Sequence, residues 1–363
     1  MGPAPHSSIP SPSPAPSETQ PYPFGFHGSG EELFGIFIIN VFLTIVTLGI
    51  YSFWAKVRTR QYLWGQTEFA GDRFGYHATG KELLMGWIKA AVLFGGIVVL
   101  SIVLSVSVHD VLGTLVLWAG LLCLVPLAYI GTMRYRLSRT SWRGIRFSFR
   151  GQIRPFFWLS VRGMVLTALT LSLYYPFYEC EVRRFMVDHS NFGSGAFAFD
   201  GKPEKLFRVF VAHWFAALIG FIATFFILTQ LRDLAGTEVR TTAVMIGALF
   251  PLSLLIVLSL VWVSYAVRRR RYYWEHTSFA DARFATTVSI GNLLRLYAVN
   301  LLLIVVTLGL ALPWVTVRTR HYDCEHLTLR GSLDLDQIAQ QARTATAVGE
   351  ELGGFLDVDA LPG

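Results

Sequence analysis

The sequence from Trp54 to Tyr62 is Trp-Ala-Lys-Val-Arg-Thr-Arg-Gln-Tyr, and Thr-Glu-Phe-Ala-Gly-Asp-Arg-Phe follows at 67–74. A long hydrophobic stretch precedes this basic and aromatic segment, and the combination occurs five times. The other four copies lie 73, 123, 210 and 260 residues further along the chain. Because fixed offsets match at many positions, the sequence predicts a modular fold made of repeats. Matching residues include Tyr135, Trp142 and Arg146 in copy 2, Arg183, Phe192 and Phe197 in copy 3, Arg268, Arg270 and Trp274 in copy 4, and Trp314, Arg318 and Arg320 in copy 5.

The composition is that of a membrane protein. Of 363 residues, 53% are hydrophobic and 15% charged, and the mean hydropathy is +0.47. Soluble proteins carry about 25% charged residues. Several apolar runs are long enough to cross roughly 30 Å of hydrocarbon. We therefore predict an all-α integral membrane protein with about seven transmembrane helices in tandem repeats, joined by short interfacial β-hairpins. The predicted spans are Leu33–Trp54, Leu83–Val108, Val111–Thr132, Phe156–Tyr178, Phe207–Gln230, Thr242–Tyr265 and Leu293–Trp314.

The basic segment of each copy lies where a predicted helix leaves the bilayer. Trp54 and Tyr62 suit the headgroup level, and arginines suit the phosphates beyond it. The Gly71-Asp72 turn between aromatic and polar residues predicts a β-hairpin, and Thr79 with Glu82 predicts the cap of the next helix. The segment either anchors the helices at the interface or binds headgroups. As candidate ligands of anionic headgroups we select Arg58, Arg60, Arg268, Arg270, Arg318 and Arg320.

The repeats divide the chain into units with three predicted membrane segments each. An odd number of segments would invert the second unit relative to the first, as in many transporters. Cys180 and Cys324 would then lie on opposite faces of the membrane, with Cys324 in the cytoplasm. Both faces would be strongly basic, which the positive-inside tendency disfavours. The predicted parts are a Pro/Ser-rich disordered tail (1–27), two three-helix repeats (28–152 and 153–288), a final half repeat (289–331) and an acidic flexible tail (332–363).

Few polar groups suggest chemistry. Asn40 and Asn300, equivalent by the offset of 260, lie inside predicted spans, where an amide either bonds a neighbouring helix or lines a polar path. An acidic residue precedes a histidine at one repeat position of three copies. Such a pair could bind a metal or relay protons, but a shared repeat position explains the recurrence without either role. These pairs are Asp188-His189, Glu275-His276 and Glu325-His326.

Catalytic and cofactor motifs are not apparent in the sequence. It has no phosphate-binding glycine loop, no His-Glu-x-x-His and no nucleophile elbow, and its three cysteines are too scattered for a thiolate metal site. We expect no enzyme activity, no cofactor and no bound metal. Its arginines lie in small groups at helix ends, so the net charge of +7 indicates anionic membrane lipids as partners and not nucleic acid. Protein partners cannot be derived from these patterns.

Three stretches of the chain are distinctive, namely Phe26–Phe34, Asn40–Tyr51 and Trp54–Phe74. In these stretches the chain resembles the YjgN family of bacterial inner-membrane proteins, and the resemblance extends over 24–331. It implies a multi-pass protein of the inner (cytoplasmic) membrane and no activity, because the family is a domain of unknown function.

Two functional hypotheses follow. The first is transport or a channel-like role, with a site between inverted repeats, which rests on architecture alone. The alternative is a non-transporting membrane protein that organises anionic lipid or protein partners through its basic interfacial hairpins. A closed, apolar interior around Asn40 and Asn300 would count against transport.

Overall fold

The computed structural model describes residues 21–234 and 240–331. Within them, five pairs of helices alternate along the chain with strands. Three pairs are short, with a helix of 17 residues followed by one of 14, and the other two are long. The short pairs are α1 (Gly30–Val46) with α2 (Ser52–Gly65), α5 (Ile153–Leu169) with α6 (Tyr175–Asp188), and α9 (Ile290–Val306) with α10 (Leu312–Glu325); the long pairs are α3 (Gly80–Ser107) with α4 (Asp110–Ser138), and α7 (Pro203–Leu234) with α8 (Arg240–Glu275).

The strands form one closed antiparallel barrel in which β1 pairs with both β2 and β10. Four consecutive pairs are tight hairpins, and in β2–β3 the turn residues Ala70 and Gly71 both have positive φ, at 48° and 84°. This geometry matches the twist of the flanking strands. The fifth pair joins the two ends of the described chain. The strands are β1 (Pro21–Phe26), β2 (Thr67–Phe69), β3 (Asp72–Tyr76), β4 (Thr140–Trp142), β5 (Ile145–Phe149), β6 (Ser190–Phe192), β7 (Gly195–Phe199), β8 (Thr277–Phe279), β9 (Ala282–Thr286) and β10 (Leu327–Arg330).

Aromatic side chains fill the barrel. Successive residues of a strand point to opposite faces, so every second residue faces inward. The residue before each of the four turns is buried, and so is its equivalent Leu329 in β10, so side chains fill this end of the barrel. Equivalent phenylalanines of the second strands form the next layer, with Phe74 and Phe147 6.3 Å apart between ring centroids. The layer next to the turns consists of Phe69, Trp142, Phe192, Phe279 and Leu329, and the second layer of Phe24, Phe74, Phe147, Phe197 and Phe284.

All five helix pairs leave the barrel and return to it at one end, because the hairpin turns occupy the other end. Each helix packs against its neighbours in sequence, and α10 packs against α1. The Trp314 ring lies against Gly30 and 4.9 Å from the ring of Phe34. The helices thus form a ring with approximate five-fold symmetry, on the same axis as the barrel.

This architecture contradicts the prediction of an all-α protein with about seven transmembrane helices. The ten-stranded barrel is the centre of the fold, and the hairpins of all copies belong to it. The prediction that copies alternate between two membrane faces, and with it the inverted repeat, is wrong. Cys180 and Cys324 lie in α6 and α10, which both return to the barrel, and so they lie on one side. Residues 21–26, assigned to the disordered tail, form β1, and His27 follows it. Residues 1–20 of that tail and the acidic tail (332–363) lie outside the described residues.

Three of the seven predicted spans are interrupted by a turn. Leu48 and Gly49 have φ of 50° and 92°, and the chain reverses between α1 and α2. The same reversal occurs at Leu171 and Leu308, which have φ of 49°. An apolar turn of this kind leaves the hydropathy of the run unbroken, so composition could not reveal it.

A threonine hydroxyl bridges each of these turns. The Thr47 hydroxyl donates to the carbonyl of Leu43 at 2.7 Å and accepts from the Tyr51 amide at 2.9 Å. Thr170 and Thr307 make the same two bonds. Backbone groups in hydrocarbon need a partner within the protein, and this threonine supplies one.

Three helices of the long pairs, α3, α4 and α7, match the predicted spans Leu83–Val108, Val111–Thr132 and Phe207–Gln230, whereas the predicted span Thr242–Tyr265 in α8 stays a prediction. Within the described residues, three helical segments are long and apolar enough to cross a bilayer, namely Gly80–Ser107, Asp110–Ser138 and Pro203–Ile227. The predicted cap of α3 is also present, since Thr79 and Glu82 form a reciprocal capping box.

Candidate functional site

The arginines of each repeat lie at two positions that face opposite sides of the helix ring. Trp64 packs on Phe74 of the barrel core with 5.4 Å between ring centroids, so this side of α2 faces the axis. Arg60 is four residues before Trp64 and shares that side, whereas Arg58 is rotated from Arg60 by about 200°. We call the equivalents of Arg58 the outward position and the equivalents of Arg60 the inward position.

The outward position carries exposed arginines in three copies. These are Arg58, Arg268 and Arg318, and none of the three has a carboxylate within ion-pair distance in the described part of the chain. The selection of these residues as headgroup ligands stays a prediction. Their exposure at the barrel end of the helices is compatible with it.

Arg58 lines an open groove of about 580 Å³ between α1 and α2. Gly35, Ile36 and Ile39 form its apolar wall, and Glu32 and Tyr62 lie at its polar end. The Tyr62 hydroxyl donates to Glu32 at 2.8 Å and accepts from the Ser29 amide at 2.8 Å. Burial and the bond to Glu32 raise the pKa of Tyr62, so it stays neutral. A groove with an apolar wall and a guanidinium in its lining can hold an acyl chain with an anionic headgroup.

The inward arginines differ in their partners. Arg60 donates from Nη1 to the Tyr76 hydroxyl at 3.5 Å, and Arg270 forms an ion pair with Asp323 at 2.7 Å. Arg320 is exposed. The six selected arginines therefore form two groups and not a single surface.

Asn40 and Asn300 are both 5% exposed and bond neighbouring helices. Asn40 donates to the carbonyl of Ala55 at 3.5 Å and Asn300 to the Thr319 hydroxyl at 3.2 Å, so each joins the two helices of its own pair. Their Oδ1 atoms have no hydrogen-bond partner.

The three histidines of the acidic pairs cap helix C-termini. His189, His276 and His326 each donate from Nδ1 to the carbonyl four residues earlier, at 2.8–2.9 Å. These bonds satisfy carbonyls that the end of a helix leaves free. Among the described residues, no three His, Cys, Asp or Glu side chains converge as a metal site would require.

An ionic cluster between α6 and α8 was not predicted. The Glu179 carboxylate accepts from Arg269 at 2.8 Å, and the buried Tyr265 hydroxyl lies 3.4 Å from it. Arg183, on the same helix as Glu179, lies over the rings of Tyr273 and Trp274 at 5.5 and 5.7 Å. The repeat alignment marks Arg183 as equivalent to Arg60, but Glu179 has no counterpart in the other copies.

Comparisons with known proteins support the resemblance seen in the sequence. Over 144 residues the chain is 36% identical to the inner membrane protein YjgN of Escherichia coli K12, and the match covers 40% of this chain and 35% of that protein. Over 360 residues it is 24% identical to the inner membrane protein YjgN of Salmonella typhimurium, covering 85% of this chain and 88% of that protein. These names support an inner-membrane location. No solved structure matches the chain.

The family model of a bacterial protein of unknown function, DUF898, matches residues 21–355. The match begins at the first residue of β1, so it includes every strand of the barrel. The chain therefore belongs to the DUF898 family.

Proposed function

We propose that the protein is a multi-pass inner-membrane protein that binds anionic lipid headgroups at the face where its barrel lies. The observation that carries this proposal is the groove beside Arg58, in which an apolar wall leads to an exposed guanidinium. The long pairs cross the bilayer in this arrangement, and the short pairs enter it and return.

Exposed apolar tips support membrane insertion of the short pairs. Leu48, Leu171 and Leu308, at the three turns, are 93%, 75% and 94% exposed. Apolar surface of this extent is unfavourable in water and marks contact with a membrane or partner. The tips lie about 25 Å from the barrel end of their 17-residue helices.

The charge distribution indicates which face carries the barrel. Because every repeat copy lies at one end of the helix ring, their arginines lie together, and basic loops prefer the cytoplasm. The chain as a whole carries 31 Lys and Arg against 24 Asp and Glu, and we assign the barrel end to the cytoplasmic face. The two strongly basic faces that the inverted arrangement required do not arise.

Transport is the weaker hypothesis for this fold. The transport hypothesis required a site between two inverted units, whereas the units of this fold share one orientation. The five buried residues of the layer nearest the hairpin turns also fill the barrel at that end of its axis.

The test is the triple substitution Arg58→Gln, Arg268→Gln and Arg318→Gln. Anionic lipid that co-purifies in mild detergent is quantified by native mass spectrometry. The affinity of each site for anionic lipid should fall on the order of fivefold at low salt, since one cation near an anionic surface contributes about 1 kcal/mol. The difference should shrink as salt screens the charges.

The control is Arg73→Gln, Arg146→Gln and Arg283→Gln, which removes the same charge from exposed residues of the barrel strands. Its lipid retention should equal that of the wild type. Equal retention by the outward triple variant and the wild type would refute the proposal.

A further inference from the structure

The inward position brings five equivalent side chains over the barrel core. Each lies four residues before a residue that packs against the core, as Arg60 does before Trp64 and Arg270 before Trp274. In the other copies, that packing residue contacts the last residue of the second strand of a hairpin, at the end of the barrel that faces the helices. Val187, for example, contacts Phe199 of β7. The inward position comprises Arg60, Met133, Arg183, Arg270 and Arg320, followed by Trp64, Leu137, Val187, Trp274 and Cys324.

Contacts between non-consecutive helices support this orientation. Arg183 of α6 reaches Tyr273 and Trp274 of α8, and Glu179 of α6 reaches Arg269 of α8. Because α7 lies between α6 and α8 in the ring, these contacts pass α7 on the side that faces the axis of the ring. Arg60 likewise reaches the hydroxyl of Tyr76, the last residue of β3, whose ring is buried in a cluster with Val57 of α2.

Positive charge on this inner side exceeds negative charge. Two arginines have carboxylate partners, Arg269 with Glu179 and Arg270 with Asp323. In the described part of the chain, Arg60, Arg183 and Arg320 have no carboxylate within ion-pair distance, and the Glu179 carboxylate whose charge acts on Arg183 already pairs with Arg269. Lys56, one turn before Arg60 on the same side of α2, adds another exposed cation. The space inside the ring is therefore basic.

Arg183 has an unsatisfied guanidinium. Its Nε is buried and has no hydrogen-bond partner, and burial lowers the pKa of the side chain. The two aromatic rings offset only part of the cost of removing a guanidinium from water. An anion bound beside the guanidinium would offset this charge.

We propose that the space inside the helix ring, directly above the barrel core, binds a phosphate group. The ligands are Arg60, Arg183 and Arg320, whose planar guanidinium groups match phosphate oxygens bidentately. The phosphate belongs either to an anionic phospholipid held inside the ring or to a soluble phosphate compound. This site is separate from the outward arginines and does not depend on them.

The experiment compares two variants with the same change in charge. The inner variant is Arg60→Gln, Arg183→Gln and Arg320→Gln, and the matched control is the outward triple variant described above. The proteins are purified without added phosphate, and bound phosphorus per protein is measured and identified by native mass spectrometry. After lipid removal, phosphatidylglycerol and inorganic phosphate are titrated separately and the melting temperature is followed.

The wild type and the outward variant should keep a tightly bound phosphorus species that the inner variant loses, with affinity reduced on the order of tenfold or more. Stabilisation by phosphatidylglycerol alone identifies a lipid, and stabilisation by inorganic phosphate identifies a soluble ligand. Either result supports the site.

Equal phosphorus content and equal titrations in the inner variant and the wild type would overturn the proposal, whatever the outward variant does. If the inner variant does not fold, Arg320→Gln and Arg183→Lys are measured separately, since Arg320 is exposed and lysine keeps the charge of Arg183. Unchanged binding in both would equally overturn it.

Discussion

At the residue scale, contacts between tryptophan and glycine join consecutive helix pairs. The Trp54 ring covers Gly80 at the start of α3, and a Cβ added to Gly80 would lie 2.4 Å from its Cγ. Trp314 covers Gly30 in the same way, with a Cβ distance of 2.2 Å to its Cδ1. Both contacts occur at equivalent repeat positions, so glycine is required there by the approach of the indole ring and not by backbone conformation.

Gly80→Ala should therefore destabilise the protein by about 1–3 kcal/mol, the usual cost of forcing atoms into a packed contact. Gly86→Ala in the same helix is the control, because no atom lies within 4 Å of its added Cβ and alanine favours the helix. Thermal unfolding in detergent micelles measures both. A Gly80→Ala variant as stable as Gly86→Ala would contradict the steric account.

At the element scale, the helix pairs differ in length but share one connection to the barrel. The amide after each second strand donates to a carbonyl at the end of a helix, as the His77 amide does to Arg139 at 2.7 Å and the Arg150 amide to His189 at 2.9 Å. The short pairs add the threonine turn, which lets an apolar run reverse direction while its backbone groups stay bonded.

Thr307→Val should cost about 1–3 kcal/mol of stability, because it leaves the carbonyl of Leu303 and the amide of Ala311 without the hydroxyl that bonds both. Thr316→Val is the matched control on the same helix pair. The Thr316 hydroxyl only donates to the carbonyl of Leu312 on an exposed surface. Thermal unfolding of both variants in nanodiscs gives the comparison, and equal melting temperatures would rule out a stabilising role for the turn hydroxyl.

At the scale of the whole molecule, closure of the barrel determines the topology. Since every hairpin belongs to one barrel, each helix pair must return to the side from which it left. Labelling of the native cysteines is a poor test of this topology. Cys180 is 1% exposed, and burial raises the pKa of its thiol to about 11, so a maleimide would not label it on either side.

Single cysteines at equivalent exposed barrel positions should all be labelled from one side of the membrane. The residues to replace, in a variant without native cysteines, are Arg73, Arg146, Ala196 and Arg283. In intact cells a membrane-impermeant maleimide should spare all four until the membrane is opened, because the proposed orientation puts the barrel on the cytoplasmic side. A cysteine at His109, in the exposed connection between α3 and α4, should be labelled in intact cells. Labelling of any barrel cysteine in intact cells would contradict a common face.

Much of the local structure could be predicted from the sequence. The alternation around Gly71-Asp72 indicated the hairpin, Thr79 and Glu82 indicated the cap of α3, and both are present. The family resemblance is confirmed by the match over residues 21–355. For the candidate site, the repeat alignment located the arginines at the barrel end of the helices. It could not show that Arg58 and Arg60 face opposite sides of the ring, since that depends on where the axis lies.

The repeat, the apolar helices and the hairpin turns follow from the sequence alone, because each depends on residues within one copy. That the copies share one barrel is visible only in the folded molecule. The pairs that close it, such as Phe24 with Phe69 and Tyr22 with Leu329, join strands far apart in the chain, and no local signal specifies such partners. The same closure decided the direction of the helix pairs, because an apolar run bent at Thr47 has the hydropathy of one that continues straight.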